Sequence, residues 1–209
     1  SKRTMNLAQS LYEKGLITYH RTDSLSLAHQ ALEEIRDYIG KNFGQNYLPE
    51  KPNLYKTKSK VAQEAHEAIR PTEISRQPSD LAHQLRSDEV RLYDLIWKRT
   101  LACQMKSAVW DQTKIDIQAV GEKNLYNLLT EGKIIKFDGW LKLYYQEKSP
   151  EKEKEADEQL PELKKGDDLD LIKILPEQKF TQPPARYTEA TLIKALEERG
   201  IGRPSTYAP

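Results

Sequence analysis

Asn6-Leu7-Ala8-Gln9-Ser10-Leu11-Tyr12-Glu13-Lys14-Gly15-Leu16-Ile17-Thr18-Tyr19-His20-Arg21-Thr22-Asp23-Ser24 changes its period twice. Leu7, Ala8, Leu11 and Tyr12 recur at the spacing of one helix face, and Gly15 stands where a left-handed C-terminal cap ends that helix. Leu16 to His20 then reads as a short extended stretch that runs into the polar cluster Arg21-Thr22-Asp23-Ser24. Loops gripped by rigid elements are where chemistry-bearing side chains tend to sit, so this junction is the first candidate site.

Working outward, Ser24 or Ser26 caps a second helix with the stripe Leu25, Ala28, Leu32, Ile35 and Ile39, and Gly40 is its expected stop. Residues 41–60, with Asn46, Pro49, Pro52 and Asn53, read as loop. There Lys51, Lys56, Lys58 and Lys60 surround Tyr55 with only Glu50 nearby, a composition that suits a polyanion-facing loop and a solvated one equally. A third helix is expected from Val61 to Arg70, ended by Pro71, which disfavours helical geometry in the residue before it. A fourth is expected from Ser87 to Gln104, with Leu92, Leu95, Ile96 and Cys103 inward and Tyr93 and Trp97 close by.

After Met105 the pattern alternates, placing Val109, Thr113, Ile115, Ile117 and Ala119 on one side of a strand. Further strands are expected at 124–130, 133–137, 140–145 and 169–175, with Glu131-Gly132 and Asp138-Gly139 as turns. So small a sheet is marginal, and chain outside these residues is expected to complete it. Thr188 caps a last helix with the stripe Leu192, Ile193 and Leu196, which Gly200 and Gly202 end before Arg203-Pro204-Ser205-Thr206. A chain that lacks an initial methionine and stops inside such a segment is expected to be an excised fragment.

The 209 residues fit one large domain or two small ones, and 37% hydrophobic content marks a polar chain. Mean hydropathy is −0.79. No apolar run approaches the ~20 residues of a membrane span, and no signal peptide precedes the first helix, so a cytoplasmic protein is expected. The single cysteine, Cys103, excludes an internal disulfide and a cysteine-clustered zinc site, and its helical pattern suggests an ordinary buried thiol. The net charge of +1 hides an asymmetry. Residues 147–170 carry ten acidic and five basic side chains, leaving 28 Lys/Arg against 22 Asp/Glu elsewhere. Residues 147–168 read as an exposed charged loop.

Three segments could carry chemistry. A phenol titrates near ~10 in model peptides, so Tyr19 as a nucleophile needs help with its proton and with the charge on its target. Arg21, two residues on, offers a two-pronged donor for one phosphate, which fits phosphoryl transfer better than hydrolysis. A half-buried core tyrosine would leave the same trace in the sequence. In Gln63-Glu64-Ala65-His66-Glu67-Ala68-Ile69-Arg70, helical spacing puts His66 and Arg70 on one face for a phosphate. A surface ion pair of Glu67 with Arg70 fits as well. At 200–206, glycines allow close approach, Arg203 suits a phosphate and the hydroxyls of Ser205 and Thr206 suit further backbone oxygens, and a helix stop followed by a turn suits the same residues.

Ile-Thr-Tyr-His-Arg-Thr-Asp-Ser at 17–24, Glu-Ala-His-Glu-Ala-Ile-Arg-Pro at 64–71, Phe-Asp-Gly-Trp at 137–140, Pro-Pro-Ala-Arg-Tyr at 183–187 and Arg-Gly-Ile-Gly-Arg-Pro-Ser-Thr-Tyr at 199–207 together resemble the bacterial type IA DNA topoisomerases. Order and separation agree across nearly the whole chain. The resemblance implies an α+β fold cut from a four-domain torus. Residues 1–104 would be the mainly helical, tyrosine-bearing domain, 105–180 part of an antiparallel β hinge domain, and 181–209 the start of a DNA-binding base segment. It implies ATP-independent relaxation of negatively supercoiled DNA through a 5′-phosphotyrosine, followed by strand passage and religation.

By the same resemblance Tyr19 is the nucleophile and Arg21 attends the scissile phosphate. His66 lies near the active site and single-stranded DNA, with Arg70 beside it, and Gln9, Arg203, Ser205 and Thr206 approach the DNA backbone. His20 is given no role, because relatives commonly carry Met or Pro there. The Mg²⁺ of the intact enzyme is assigned to an acidic domain outside this chain, which has no Asp-x-Asp-x-Glu cluster. The fragment alone is therefore expected to bind single-stranded DNA without cleaving it. A monomer associated with the cytoplasmic nucleoid is expected. Two alternatives stay in view. A recombinase usually keeps its nucleophile near the chain end, behind separated arginines and histidines, whereas Tyr19 comes first; a relaxase would need a His-x-His motif, which the sequence lacks; and a non-catalytic single-stranded DNA-binding module would make Tyr19 dispensable.

Overall fold

The computed structural model describes residues 2–55, 67–144, 160–202 and 206. α1 (Lys2–Glu13) buries Ala8 and Leu11. Gly15 then takes φ 69°, and Leu16 N–H returns to Leu11 O at 3.0 Å while Gly15 N–H reaches Tyr12 O at 2.8 Å. This is the cap expected from the glycine, with the helix's last carbonyls satisfied from beyond its end.

The segment that follows has a distant partner, though it is no continuous strand: only Ile17 forms a β-bridge, and Leu16, Thr18 and His20 lie in bends. Ile17 bridges Pro71 in antiparallel sense, Thr18 N–H donates to Arg70 O (2.9 Å) and Thr72 N–H to Leu16 O (3.1 Å). The Thr18 hydroxyl donates to Ala68 O (2.8 Å) and accepts from Arg70 N–H (2.9 Å), and the Thr72 hydroxyl donates to Gly15 O (2.7 Å). The helix expected over 61–70 is therefore corrected at its end. Residues 67–70 are not helical, because their backbone groups pair with residues 18 and 26 instead; residues 61–66 lie outside those described.

α2 (His29–Asn42) starts later than Ser24 or Ser26 suggested. Ser24 N–H bonds to Thr22 Oγ1 (3.0 Å) and Ser26 N–H to Ser24 Oγ (3.2 Å), local bonds that compete with a helix. Ala28 is the N-cap, and its N–H is taken by Glu67 Oε1 at 2.7 Å, so Leu25 and Ala28 precede the helix and Leu25 is exposed. Ala31, Leu32, Ile35 and Ile39 form the buried stripe. Gly40 is no stop but an interior close approach, since a Cβ there would lie 2.7 Å from Gln45 Nε2.

α3 (Ser87–Gln104) occupies its expected span but turns a different face inward: Glu89, Tyr93, Trp97, Thr100, Leu101 and Gln104 are buried, whereas Leu95 is exposed and Cys103 only half-buried. Tyr93 OH donates to Arg76 O (2.8 Å) and Trp97 Nε1 to Ile74 O (2.9 Å), which lets both rings enter the core with their polar ends satisfied. That core joins Leu11, Leu16, Ile17, Ile35, Ile39, Ile74, Leu81 and Leu101.

The fold is an α+β mix, and the chain forms two compact units. Ser1–Ala108, Phe137–Tyr145 and Thr188–Pro209 make the first, Val109–Lys136 and Gln146–Tyr187 the second. β1 (Val109–Val120) pairs with β2 (Leu125–Phe137) in a two-stranded sheet. Glu131-Gly132 lies within continuous β2 rather than at a turn, and Gly139–Leu143 is a 3-10 turn rather than a strand. No strand forms over 169–175, where the chain makes no ladder hydrogen bond among the described residues. α4 (Glu189–Glu198) begins as expected, with Thr188 Oγ1 accepting Thr191 N–H at 3.2 Å, and ends on Gly200 at φ 68°.

Candidate functional site

The pairing of 15–18 with 68–72 brings two of the three candidate segments together. Leu16 and Ile17 are buried, which anchors the segment, and Tyr19 emerges half-buried beyond it. The Tyr19 ring meets Tyr12 of α1 edge-on (centroids 5.3 Å, 70°) and His20 likewise (5.4 Å, 61°). Tyr12 and His20 in turn approach to 6.2 Å. Three rings thus support one another, an arrangement whose packing helps fix the orientation of the Tyr19 ring.

His20 is the residue that sequence reasoning missed. It is only 4% exposed, and neither ring nitrogen has a hydrogen-bond partner among the described residues. Burial pushes its pKa down, the Arg21 charge adds to this, and Glu13 opposes it. A neutral imidazole is what such a setting favours, so His20 acts as a flat apolar support for Tyr19. Nothing in the local pattern marks it, because its burial comes from α1 folding back.

Arg21 is exposed and has no hydrogen bond or ion pair among the described residues, which leaves its fork available to an anion. Arg70 is placed differently. Its Nε lies 2.7 Å from Glu67 Oε1 and its Nη2 3.0 Å from Oε2, while Nη1 donates to Pro71 O at 2.8 Å. Since Glu67 Oε1 also accepts Ala28 N–H, this pair clamps the start of α2 to the segment beside Thr18. Gln9 sits on α1 one turn before Tyr12 and donates to Glu13 Oε1 at 2.6 Å. His66, Arg203 and Ser205 lie outside the described residues, and Thr206 lies in an exposed turn.

The architecture is similar to part of the full-length topoisomerase I of Thermotoga maritima, 34% identical with a TM-score of 0.75, over 98% of this chain and 32% of that one. Helices packed around a tyrosine that follows a short bridged segment therefore define a portion of the topoisomerase I fold. The DNA topoisomerase family model matches residues 1–209, and the chain belongs to that family, in its bacterial type IA branch. DNA topoisomerase 1 of Xylella fastidiosa is 49% identical over 219 residues, covering 100% of this chain and 26% of the relative. That of Haemophilus influenzae is 52% identical over 208 residues, covering 99% and 23%. The chain spans about a quarter of the length of these relatives.

Proposed function

We propose that, in the intact polypeptide, the Tyr19 phenol oxygen attacks a phosphodiester of one DNA strand. The bond from phosphorus to the 3′ oxygen breaks, the phenol proton passes in net to that oxygen, and the 5′ phosphate is held as a phosphotyrosine. The freed 3′ hydroxyl later reverses the exchange. One phosphodiester replaces another of similar energy, so ATP is not required, and supercoiling strain supplies the direction of relaxation. Arg21 receives the charge that develops on the phosphate oxygens.

The observation that carries this reading is the half-exposed Tyr19 ring, braced by Tyr12 and His20 just beyond the buried, bridged Leu16-Ile17 and followed by the unengaged Arg21. Family membership supports it. Single-stranded and negatively supercoiled DNA are the proposed partners, for a cytoplasmic, nucleoid-associated monomer. His66, Arg203, Ser205 and Thr206 are proposed to contact the DNA backbone, with Gln9 approaching from α1. Arg70 is proposed to serve the site through its clamp on Glu67. The division into a helical domain at 1–104, a partial hinge at 105–180 and a base segment from 181 belongs to the same proposal.

Among the described residues no group of three His, Cys, Asp or Glu side chains could hold a metal ion. We assign the Mg²⁺ expected from the family to other parts of the polypeptide, and no step is routed through it. This 209-residue chain alone is proposed to bind single-stranded DNA weakly and not to cleave it.

The test is Tyr19→Phe in the full-length protein, assayed with supercoiled plasmid and with an end-labelled oligonucleotide. Loss of relaxation and of the covalent adduct, with DNA binding retained, is expected. Unchanged relaxation would instead support a non-catalytic binding module. Arg21→Ala is expected to slow single-turnover cleavage by about 10²–10³-fold, as for removal of a charge-stabilising donor.

A further inference from the structure

Within the unit that bears Tyr19, a cleft of about 520 Å³ is walled by the stretch after Arg21, the C-terminal turn of α3 and the turn that starts at Gly139. Its walls are built by backbone demands. The last carbonyls of a helix lack intrahelical donors. Cys103 O is satisfied by Asn53 Nδ2 (2.9 Å) and by Tyr55 OH (2.8 Å), and the Gln104 amide clasps the Asn53 backbone at 2.9 and 3.1 Å. Tyr55 is thus tethered through its hydroxyl while the residue stays 45% exposed.

Trp140 is fixed on another wall. Its backbone N–H donates to Lys106 O (3.0 Å), and its ring meets Tyr144 edge-on at 5.7 Å, yet it remains 37% exposed. Gly139 before it takes φ 50°, and a Cβ there would come within 2.5 Å of Lys106 O, so only glycine lets the backbone approach this closely. Two large rings are therefore held in place with surface to spare. The side chains of Asp23, Arg99 and Glu197, also on the lining, make no hydrogen bond or ion pair among the described residues.

We propose that this cleft holds one unpaired base of the single strand, its flat faces against the aromatic walls. The proposal rests on the reading of Tyr19 as the group that attacks DNA. Aromatic surface accepts any base, a lone guanidinium suits a flanking phosphate, and a lone carboxylate accepts from an amino group on a base edge. Position argues the same way. Thr22, the first residue of the wall, follows Arg21 directly, and one residue of extended chain advances only ~3.3 Å, so a strand with its phosphate at Arg21 has this cleft beside it. The Phe-Asp-Gly-Trp motif at 137–140, which the Tyr19 chemistry leaves unused, acquires a purpose as the carrier of Trp140.

The experiment uses the full-length protein and a set of single-stranded oligodeoxynucleotides, each with one abasic position, with affinity read by fluorescence anisotropy. In the wild type one position at a fixed distance from the cleavage site is expected to lose about tenfold, the scale of one stacked base. That loss is expected to shrink below about twofold in Trp140→Ala and to persist partly in Trp140→Phe. Arg99→Gln, an exposed change that leaves the core intact, is expected to lower the salt dependence of binding by about one phosphate contact. If Trp140→Ala unfolds, the Phe and Arg99 variants decide the matter. A flat abasic profile in the wild type, or one unaltered by Trp140→Phe together with an unchanged Arg99→Gln salt slope, overturns the proposal. Covalent adduct on the same oligonucleotides is scored in parallel. Adduct with a flat profile defeats only the cleft, whereas no adduct from the wild type defeats the Tyr19 reading.

Discussion

Two regions of this chain use β-structure in opposite ways. At 15–18 against 68–72, a few residues pair, but Leu16, Ile17 and Pro71 are buried, and two threonine hydroxyls and the Glu67 carboxylate tie the backbone down. In β1 and β2, 12 and 13 residues form a longer ladder, yet Val120 is 83% exposed and Leu125, Leu128 and Leu129 all exceed half. The lesson is that ladder length does not measure order. Burial drives folding, and the short covered pairing is the one that aims Tyr19.

The comparison breaks most sharply in the core behind Tyr19. Leu101 is fully buried on α3, and Leu101→Ala is expected to destabilise by about 3 kcal/mol through lost transfer energy and a cavity. Urea unfolding measures it; a loss below about 1 kcal/mol would mean that this core collapses freely and does not hold the site.

Next comes the carboxylate that locks α1 to α3. Glu89 is 1% exposed and accepts from Ser10 Oγ (2.7 Å), Lys14 Nζ (2.8 Å) and Arg86 N–H (2.9 Å). Lys14 foremost, then Ser10 and Arg86, hold its carboxyl far below the usual 4.5, against the opposing effect of burial. Because the folded value is depressed, the unfolded chain takes the proton first as pH falls. The stabilisation is complete above about pH 5 and is lost progressively below it. Glu89→Gln is expected to cost about 2 kcal/mol near neutrality, less than a fully buried pair because Lys14 and Arg86 reach solvent. The variant's stability should also fall less steeply than wild type between about pH 5 and 3, and parallel pH profiles would refute this linkage.

A smaller effect is expected at the bridged segment itself. Thr18→Val removes one hydroxyl that both donates to Ala68 O and accepts Arg70 N–H, leaving two half-buried backbone groups without it. The expected loss is about 1.5 kcal/mol. In the full-length protein it should appear also as slower single-turnover cleavage at unchanged DNA affinity, and equal loss of both would assign Thr18 to binding rather than to aiming Tyr19.

What was legible in the sequence follows the range of the deciding interaction. α1 with its Gly15 cap, the span of α3, and the Thr188 cap of α4 rest on groups within a few residues of one another, and periodicity and cap chemistry exposed them. The start of α2 was misplaced because Glu67, 39 residues away, takes the N–H of Ala28. Residues 67–70 are not helical because Thr18 and Ser26 claim their backbone. The face of α3 was misjudged because Glu89 and Gln104 enter the core once Lys14, Ser10 and Asn53 supply partners, displacing Leu95. Of the site, Tyr19 and Arg21 were readable as a motif, whereas the role of His20 required α1 to fold back and place Tyr12 beside it.

The smallest effect is expected where the ladder is longest. Leu128 in β2 is 53% exposed, so truncation removes apolar surface that water already reaches and leaves no enclosed cavity. Leu128→Ala should lie within about 0.5 kcal/mol of wild type in this 209-residue chain. If further polypeptide covers the ribbon in the intact protein, the same substitution there should cost about 1.5–3 kcal/mol, the scale of burying a leucine. A pair of unfolding curves, one on the chain and one on the full-length protein, makes the distinction. Equal small losses in both would leave the ribbon a solvated spacer, while a loss confined to the intact protein would show that its apolar side chains await a partner surface.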